Sequence, residues 1–263
     1  MKGNILRWSG SKAKQIPTLA ALAPRGFTGY VEPFAGSASL FFKLRPSRAV
    51  LGDINPAVID VYRAIQADPN GLSDVLDSIP LTAEAYYALR SLDVAGLTMI
   101  QRAARLIFLM KACFNGVYRT NRTGQFNVPL GNRMYASPTR EELIDASRVL
   151  KAVDLVAGDF ETTLALSQPG DWVYLDPPYR RAGRYRGEYG VDFTETSLDR
   201  LLQIAQMLAA TGRHVMLSFC DDERLTSMLC GWTVFRSSAR RTVSASSSAR
   251  RDKVELIFTS YEA

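Results

Sequence analysis

The 263-residue sequence predicts an α/β protein built on a mostly parallel sheet. Short apolar runs that end in a carboxylate or a turn recur along the chain, and helical patterns such as residues 198–210 separate them. Such alternation builds strand, helix, strand units. The predicted parallel strands lie at residues 29–34, 49–53, 153–159, 172–176 and 215–220.

The carboxyl-terminal part of the sequence has a different pattern. Two strand-like runs, residues 232–236 and 254–261, flank a Ser/Arg-rich stretch, which indicates an antiparallel hairpin with a long tip. These two strands bring the predicted sheet to seven.

The central part of the sequence lacks this alternation of strand and helix. Apolar residues recur there at helical spacing within residues 58–113. We therefore expect an inserted, mainly helical domain at residues 57–147, while residues 1–56 and 148–263 form the sheet domain.

Composition favours a polyanionic partner and excludes several kinds of site. The net charge of +6 and the pI near 9.3 are typical of proteins that bind nucleic acid, although basic surfaces also occur on proteins that bind none. Three scattered cysteines and one histidine, His214, are too few for a disulfide framework, a zinc cluster or a histidine-based triad. Without a signal-like or membrane-spanning run, we expect a soluble, cytoplasmic protein with no membrane partner.

The tetrapeptide Asp176-Pro177-Pro178-Tyr179 follows the apolar run 172–175 and predicts a buried strand that stops abruptly. The prolines end the ladder pairing, so the backbone carbonyls of Asp176 and Pro177 become acceptors at the carboxyl edge, where open α/β sheets bind ligands. A planar amine fits such a rigid array, and Tyr179 can stack on the ring that carries it. For the isolated tetrapeptide, a strand-end cap beside a rim aromatic is an equal alternative.

A turn of small residues, 35–39, follows the first strand and precedes a helix predicted to start near Leu40. Small residues let the backbone approach a ligand, although tight packing alone also explains them. Asp53 follows Gly36 by seventeen positions and ends the next strand, where nucleotide-binding sheets place an acid on ribose hydroxyls. A dinucleotide dehydrogenase offers the same turn and acid, but the Pro-Pro strand end favours a methyl-donor nucleotide.

Six short motifs occur in order between Trp8 and Tyr179, which is about two thirds of the chain. They are Trp8-Ser9-Gly10-Ser11-Lys12, Glu32 to Ala38, Asp53-Ile54-Asn55, Asn115-Gly116-Val117-Tyr118-Arg119, Phe126-Asn127-Val128-Pro129 and Asp176 to Tyr179. In these motifs the chain resembles the Dam-type DNA adenine methyltransferases. The resemblance implies a Rossmann-like methyltransferase sheet and methyl transfer from S-adenosylmethionine to an adenine amino group in a short duplex site. Ser11 and Ala38 stand where the family usually has glycine, which implies weaker cofactor binding.

The resemblance also assigns residues to S-adenosylmethionine. Trp8 and Lys12 close over its methionine end, Asp53 binds its ribose, and Asp159 with Phe160 reads its adenine. The turn after the first strand packs under the cofactor. The complete set of cofactor-binding residues is Trp8, Lys12, Glu32, Phe34, Ala35, Gly36, Ser37, Asp53, Asp159 and Phe160.

The predicted catalytic residues are Asp176, Pro177 and Tyr179. The adenine amino nitrogen is a poor nucleophile because its lone pair is delocalised into the ring, and the base is inaccessible until it flips out of the stack. The Asp176 carboxylate and the Pro177 carbonyl then accept the two amino hydrogens, which aligns the nitrogen and raises its electron density. Tyr179 stacks on the flipped ring, worth about 1–3 kcal/mol. No metal is required.

The basic, turn-rich segment after residue 114 predicts a DNA-reading surface. By resemblance, Asn115 and Arg119 belong to a hairpin that enters the major groove, and Arg7 touches a flanking base. The remaining arginines hold phosphates or form a solvated basic face. The predicted DNA-binding residues are Arg7, Asn115, Tyr118, Arg119, Arg122, Arg133, Arg240, Arg241, Arg250 and Arg251.

Two alternatives to a DNA adenine methyltransferase remain open from sequence. One is methylation of RNA adenine or of a cytosine amino group by the same acceptor geometry, and the other is a catalytically silent DNA-binding regulator. The expected partner is double-stranded DNA, bound by a monomer or homodimer. The Asn-Gly-x-x-Arg motif occurs in relatives with different targets, so it does not define the methylated site.

Overall fold

A seven-stranded mixed sheet forms the centre of the computed structural model, which describes residues 5–178, 180–181, 184–185, 193–220, 223–239 and 253–263. The strands are β1 (Tyr30–Glu32), β2 (Ala49–Asp53), β3 (Val153–Ala157), β4 (Trp172–Leu175), β5 (Arg180–Arg181), β6 (Arg184–Tyr185), β7 (His214–Cys220), β8 (Thr233–Ala239) and β9 (Lys253–Thr259). The order across the sheet is β3-β2-β1-β4-β7-β9-β8, while β5 and β6 pair separately.

The pairing confirms the predicted sheet. Neighbouring strands from β3 to β7 are parallel, and β9 runs antiparallel to both β7 and β8. All five predicted parallel strands and both strands of the predicted hairpin occur. The tip of that hairpin, residues 240–252, lies outside the described residues.

Helices cover both faces of the sheet and make three layers. One face carries α1 (Ile16–Ala21), α2 (Ser39–Leu44), α3 (Pro56–Ala67), α4 (Pro69–Asp77), α5 (Ala83–Ser91), α6 (Met99–Ala112) and α7 (Arg140–Leu150). The other carries α8 (Phe160–Leu164), α9 (Glu195–Ala210) and α10 (Glu223–Met228). None of these described helices combines the length and the apolarity needed to cross a membrane.

Strand β4 shows why the sheet is buried on both sides. Trp172 and Tyr174 pack into the first face, Val173 and Leu175 into the second, and all four are at most 1% exposed. Because successive side chains of a strand point to opposite faces, a continuous apolar run is what a central strand requires.

The helical middle of the chain shares the core of the first face. Helix α3 packs on β2 and β3 as well as on α6 and α7, so its buried side belongs to the same hydrophobic cluster as Tyr30 and Trp172. Local signals start these helices: the Asn55 side chain caps α3 with Pro56 at its first position, and Thr98 and Gln101 form a capping box on α6. The domain boundaries at residues 57 and 147 stay a prediction.

Strand direction decides where the functional side chains meet. Strands β1, β2, β3, β4 and β7 are parallel, so their carboxyl ends lie along one edge of the sheet. The chain reverses its direction of travel across the sheet between β1 and β4, which is where open α/β sheets have their binding crevice.

Candidate active site

Asp176 follows β4 at this edge and lies within a network of hydrogen bonds. Its Oδ1 accepts from Lys12 Nζ at 2.8 Å and from Ser218 Oγ at 2.9 Å. Ser218, on the neighbouring strand β7, is fully buried, and its Oγ is also 3.2 Å from the Tyr174 hydroxyl. These donors from two separate parts of the chain fix the orientation of the carboxylate.

Pro177 and Pro178 end β4 as predicted, and Pro177 is buried. Within the described part of the chain, no group donates a hydrogen bond to the Pro177 carbonyl. Tyr179 lies outside the described residues, so its predicted stacking role stays a prediction.

Asp53 ties the turn after β1 to the end of β2. Its Oδ2 accepts from the Gly36 backbone N–H and its Oδ1 from the Asn55 N–H, both at 2.9 Å, and the residue is 5% exposed. Each carboxylate oxygen has a second lone pair, so these bonds orient the acid without using up its acceptor capacity. Its predicted ribose contact stays a prediction.

Gly36 makes a close approach that only glycine permits. Its φ is +46°, and a Cβ built on it would lie 2.8 Å from Cδ1 of Trp8. The Tyr62 hydroxyl donates to the Gly36 carbonyl at 2.5 Å and fixes the position of the turn. The Trp8 indole therefore lies directly on the Gly36 backbone, and the shared role of the two residues in cofactor binding stays a prediction.

Three serine hydroxyls join the amino-terminal loop to this turn. Ser37 Oγ donates to Ser11 Oγ at 3.0 Å, and Ser39 Oγ lies 2.7 Å from Ser37 Oγ and 3.1 Å from Ser11 Oγ. Ser11, which replaces a usual family glycine, thus has a defined place in the structure. Ala38 replaces the other glycine and adopts a left-handed conformation with φ of 45°, which glycine adopts at lower cost.

Glu32 ends β1 and is 4% exposed. Burial raises the pKa of its carboxyl well above the usual range, and the nearby Asp176 and Asp53 carboxylates raise it further, while the hydrogen bond from Tyr30 lowers it. The Tyr30 hydroxyl donates to Glu32 Oε2 at 3.0 Å. This raised pKa favours the protonated acid, which limits the negative charge between its two neighbours.

An aromatic cluster lies beside Asp159. The Phe34 ring centroid is 5.6 Å from Phe160 and 6.0 Å from Phe193. The Asp159 side chain caps α8 by accepting from the Glu161 N–H, and both its oxygens accept from Arg200 at 2.9 Å. Sequence reasoning missed Arg200, which reaches Asp159 from α9 and also lies over the Phe160 ring.

The predicted DNA-reading residues surround a hairpin-like segment after α6. Antiparallel bridges join Cys113 to Leu130 and Thr120 to Phe126, which agrees with the predicted hairpin. At its base, Asn115 is exposed with φ of 56°. Further along, Arg119 is exposed and its Nε donates to Asn127 Oδ1 at 2.7 Å.

Arg7 contacts the start of this hairpin-like segment. It donates to the Cys113 carbonyl at 3.3 Å, and its Nε lies close to Gly116. With Trp8, Ser11, Ala13, Lys111 and Tyr135 it lines a cleft of about 270 Å³. Burial lowers the pKa of the Lys111 ammonium in this cleft.

Tyr118 points inward, unlike Asn115. Its ring packs on Trp8 at 5.5 Å and on Phe126 at 5.6 Å, and burial raises the pKa of its hydroxyl. It therefore connects the DNA-reading segment to the predicted cofactor loop. The exposed aromatic at this turn is Phe114, which is 47% exposed and which sequence reasoning missed, although it directly precedes Asn115.

Of the remaining predicted DNA-binding arginines, the structure describes two. Arg122 and Arg133 are exposed. Arg240, Arg241, Arg250 and Arg251 lie outside the described residues, so their phosphate contacts stay a prediction.

The assembled groups suit a nucleoside ligand. Asp53 offers acceptors for hydroxyl groups, Asp159 an acceptor for an amine, and Phe34 and Phe160 apolar faces for a flat ring. The Gly36 backbone lies where a side chain would close the approach. These residues fit the cofactor that the sequence resemblance implies.

Comparison with known proteins gives consistent matches. The family model of the D12 class N6 adenine-specific DNA methyltransferases matches residues 8–242. A type II methyltransferase, M1.LlaDCHI of Lactococcus lactis subsp. cremoris, is 32% identical, covering 97% of this chain and 94% of the relative. The retron Ec67 DNA adenine methylase of Escherichia coli is 29% identical with 97% and 90% covered. The DNA adenine methylase of Serratia marcescens is 27% identical with 98% of both chains covered.

Proposed function

Because the chain belongs to the D12 class of N6 adenine-specific DNA methyltransferases, we propose that the sheet edge at Asp176 binds a flipped adenine. A methyl group from S-adenosylmethionine is then transferred to the exocyclic amino nitrogen of that adenine. Adenine in DNA is the substrate of this family. The single observation that carries the site assignment is the Asp176 carboxylate, oriented by Lys12 and Ser218 where β4 stops.

The proposed cofactor site lies along the carboxyl ends of β1, β2 and β3. S-adenosylmethionine supplies a methyl group activated by its positively charged sulfur. Asp53 would hold the ribose and Asp159 the adenine of the cofactor, with the Phe160 ring against its face. Trp8 and the Gly36 turn, already in contact, would enclose the rest.

Asp176 and Pro177 perform the chemistry that this chain contributes. Two acceptors that hold both amino hydrogens fix the plane of the amine and return electron density to its nitrogen. The rigid Pro-Pro end keeps the Pro177 carbonyl in place without any reorganisation during the reaction. Tyr179 is the proposed stacking partner of the flipped ring.

We place the DNA on the face formed by Arg7, Asn115 and Arg119. The exposed Phe114 ring is suited to fill the gap that a flipped base leaves, because an apolar wedge stabilises an opened stack. Arg122 and Arg133 add positive charge for phosphates. The protein would act inside the cell, where its DNA lies, on a short duplex site and as a monomer or homodimer.

The test is tritium transfer from labelled S-adenosylmethionine to duplex DNA, followed by nucleoside analysis of the product. We expect N6-methyladenine, and a loss of about 10²–10³-fold in rate for Asp176→Asn, the range observed for removing one preorganised electrostatic contact. The matched control is Asp154→Asn, an exposed carboxylate on the edge strand β3, which should leave the rate unchanged.

Each other outcome has a definite meaning. An Asp176→Asn variant as active as the wild type would refute the site. Methylated cytosine, or methylation of RNA alone, would refute adenine specificity on DNA. Tight DNA binding without any methyl transfer would favour a silent regulator.

A further inference from the structure

A second carboxylate, that of Glu255, lies beside the same lysine that holds Asp176. Lys12 Nζ is 2.8 Å from Asp176 Oδ1 and 3.8 Å from Glu255 Oε1. The Glu255 side chain is 7% exposed, and its other oxygen accepts from the side-chain amide of Gln15. One ammonium therefore faces two carboxylates at unequal distances.

The antiparallel direction of β9 brings Glu255 to the site. Since β9 runs against β7, its first residues lie at the carboxyl edge of the sheet, and Glu255 pairs in register with Cys220. Two residues further along β9, Ile257 pairs with Ser218, whose hydroxyl donates to Asp176. Glu255 thus occupies the strand next to the one that orients the catalytic acid.

Burial of these three charged side chains costs free energy. The side chains of Lys12, Asp176 and Glu255 are 11%, 18% and 7% exposed, so water screens their charges only partly. Moving charged groups out of water costs free energy, and their mutual attraction offsets that cost only when the geometry is good. An amine that donates to Asp176 changes that balance, because Asp176 then gains a donor and the lysine can move about 1 Å closer to Glu255.

On the basis of the function proposed above, we propose that Glu255 is a positioning residue for methyl transfer. In the free enzyme, Glu255 keeps the Lys12 ammonium beside Asp176. When the adenine amino group donates to Asp176, Glu255 becomes the main ion-pair partner of Lys12. The ammonium stays neutralised throughout, and Asp176 can turn an oxygen to the amine. Glu255 acts through Lys12 and makes no contact with the adenine.

A purely structural role makes a different prediction. The bond between Gln15 and Glu255 also anchors the segment before α1 to β9, so loss of Glu255 would lower stability. A structural effect should be independent of Lys12, whereas a positioning effect should vanish without it.

The experiment measures the single-turnover rate of methyl transfer to duplex DNA for wild type, Glu255→Gln, Lys12→Met and the double variant. We expect Glu255→Gln to slow transfer about tenfold, and by less than about twofold when Lys12 is already Met, because coupled neighbours are not additive. All four proteins are compared at saturating S-adenosylmethionine, because Lys12 is itself a predicted cofactor contact, so that the rates report the transfer step alone. Glu255→Asp keeps the charge and should recover most of the rate. This variant still tests the proposal if Glu255→Gln folds poorly.

Asp171→Asn provides the matched control. Asp171 is a fully buried carboxylate just before β4, paired with Arg48 at the opposite edge of the sheet from Asp176. Its loss should lower stability but leave the single-turnover rate of the folded protein unchanged. The inference is overturned, and the proposed function is not, if Glu255→Gln transfers methyl groups at the wild-type rate. The same holds if Glu255→Gln lowers the single-turnover rate by the same factor with and without Lys12. A wild type that transfers no methyl group to DNA overturns the proposed function and this inference with it.

Discussion

Replacement of Gly36 by alanine tests whether the turn after β1 forms the cofactor site together with Trp8. A side chain at φ of +46° costs about 1–2 kcal/mol in backbone strain. The new Cβ would lie 2.8 Å from Trp8 Cδ1 and 3.1 Å from Nε1, whereas ordinary contact begins at 3.4 Å. The indole must therefore retreat by about 0.6 Å, and the Tyr118 ring on which it packs opposes that movement.

Displacement of Trp8 should weaken S-adenosylmethionine about tenfold, which corresponds to about 1.4 kcal/mol. Titration calorimetry measures the affinity. Thermal unfolding measures the backbone cost, because each kcal/mol of lost stability lowers the melting temperature by roughly 2–4 °C. Gly231→Ala is the matched control, because Gly231 has φ of +90° and nothing within 4 Å of a built Cβ. It should lose similar stability with unchanged affinity. If Gly36→Ala binds the cofactor as tightly as Gly231→Ala does, Trp8 and this turn do not form the site.

Three further predictions concern buried groups. Burial raises the folded-state pKa of Glu32 above its unfolded value, so the folded protein binds more protons and stability should fall as pH rises above about 4.5; urea unfolding of Glu32→Gln should show a weaker decline. Asp171→Asn should cost about 3 kcal/mol in urea unfolding, because the ion pair between the fully buried Asp171 carboxylate and the partly exposed Arg48 is lost, and a loss under about 1 kcal/mol would contradict a stabilising pair there. Burial raises the pKa of the Cys113 thiol to about 11, so a thiol reagent at pH 8 should modify the exposed Cys230 first, and equal rates in peptide mass spectrometry would contradict this.

Local pattern was sufficient for the sheet and for the acids at its edge. The run 172–175 is apolar at every position because β4 is covered on both faces, and the two prolines after it fix where the strand stops. Asp53 is the last residue of β2 and Asp159 lies two residues after β3, so their position at the carboxyl edge follows from strand direction alone. The predicted hairpin at the end of the chain was equally visible, since both of its strands carry their own signal.

Residues that act through distant contacts had no such signal. Lys12 and Asp176 are 164 positions apart, and nothing in either motif indicates that the lysine would bind the carboxylate. Ser218 and Glu255 stand in strands whose apolar pattern is the only visible feature. Arg200 is one of several polar residues of α9, and only helix packing brings it over Phe160. Tyr118 packs on Trp8, a contact that neither motif indicated, and its predicted DNA contact stays a prediction.

The sequence by itself determined the fold class, the family resemblance and the identity of the acid at the strand end, because strand period, turn chemistry and motif order are local properties of the chain. Only the tertiary structure decided which groups surround that acid. An antiparallel last strand and an amino-terminal loop meet at Asp176, and the sharing of one lysine between two carboxylates arises from that meeting, which no short stretch of sequence encodes.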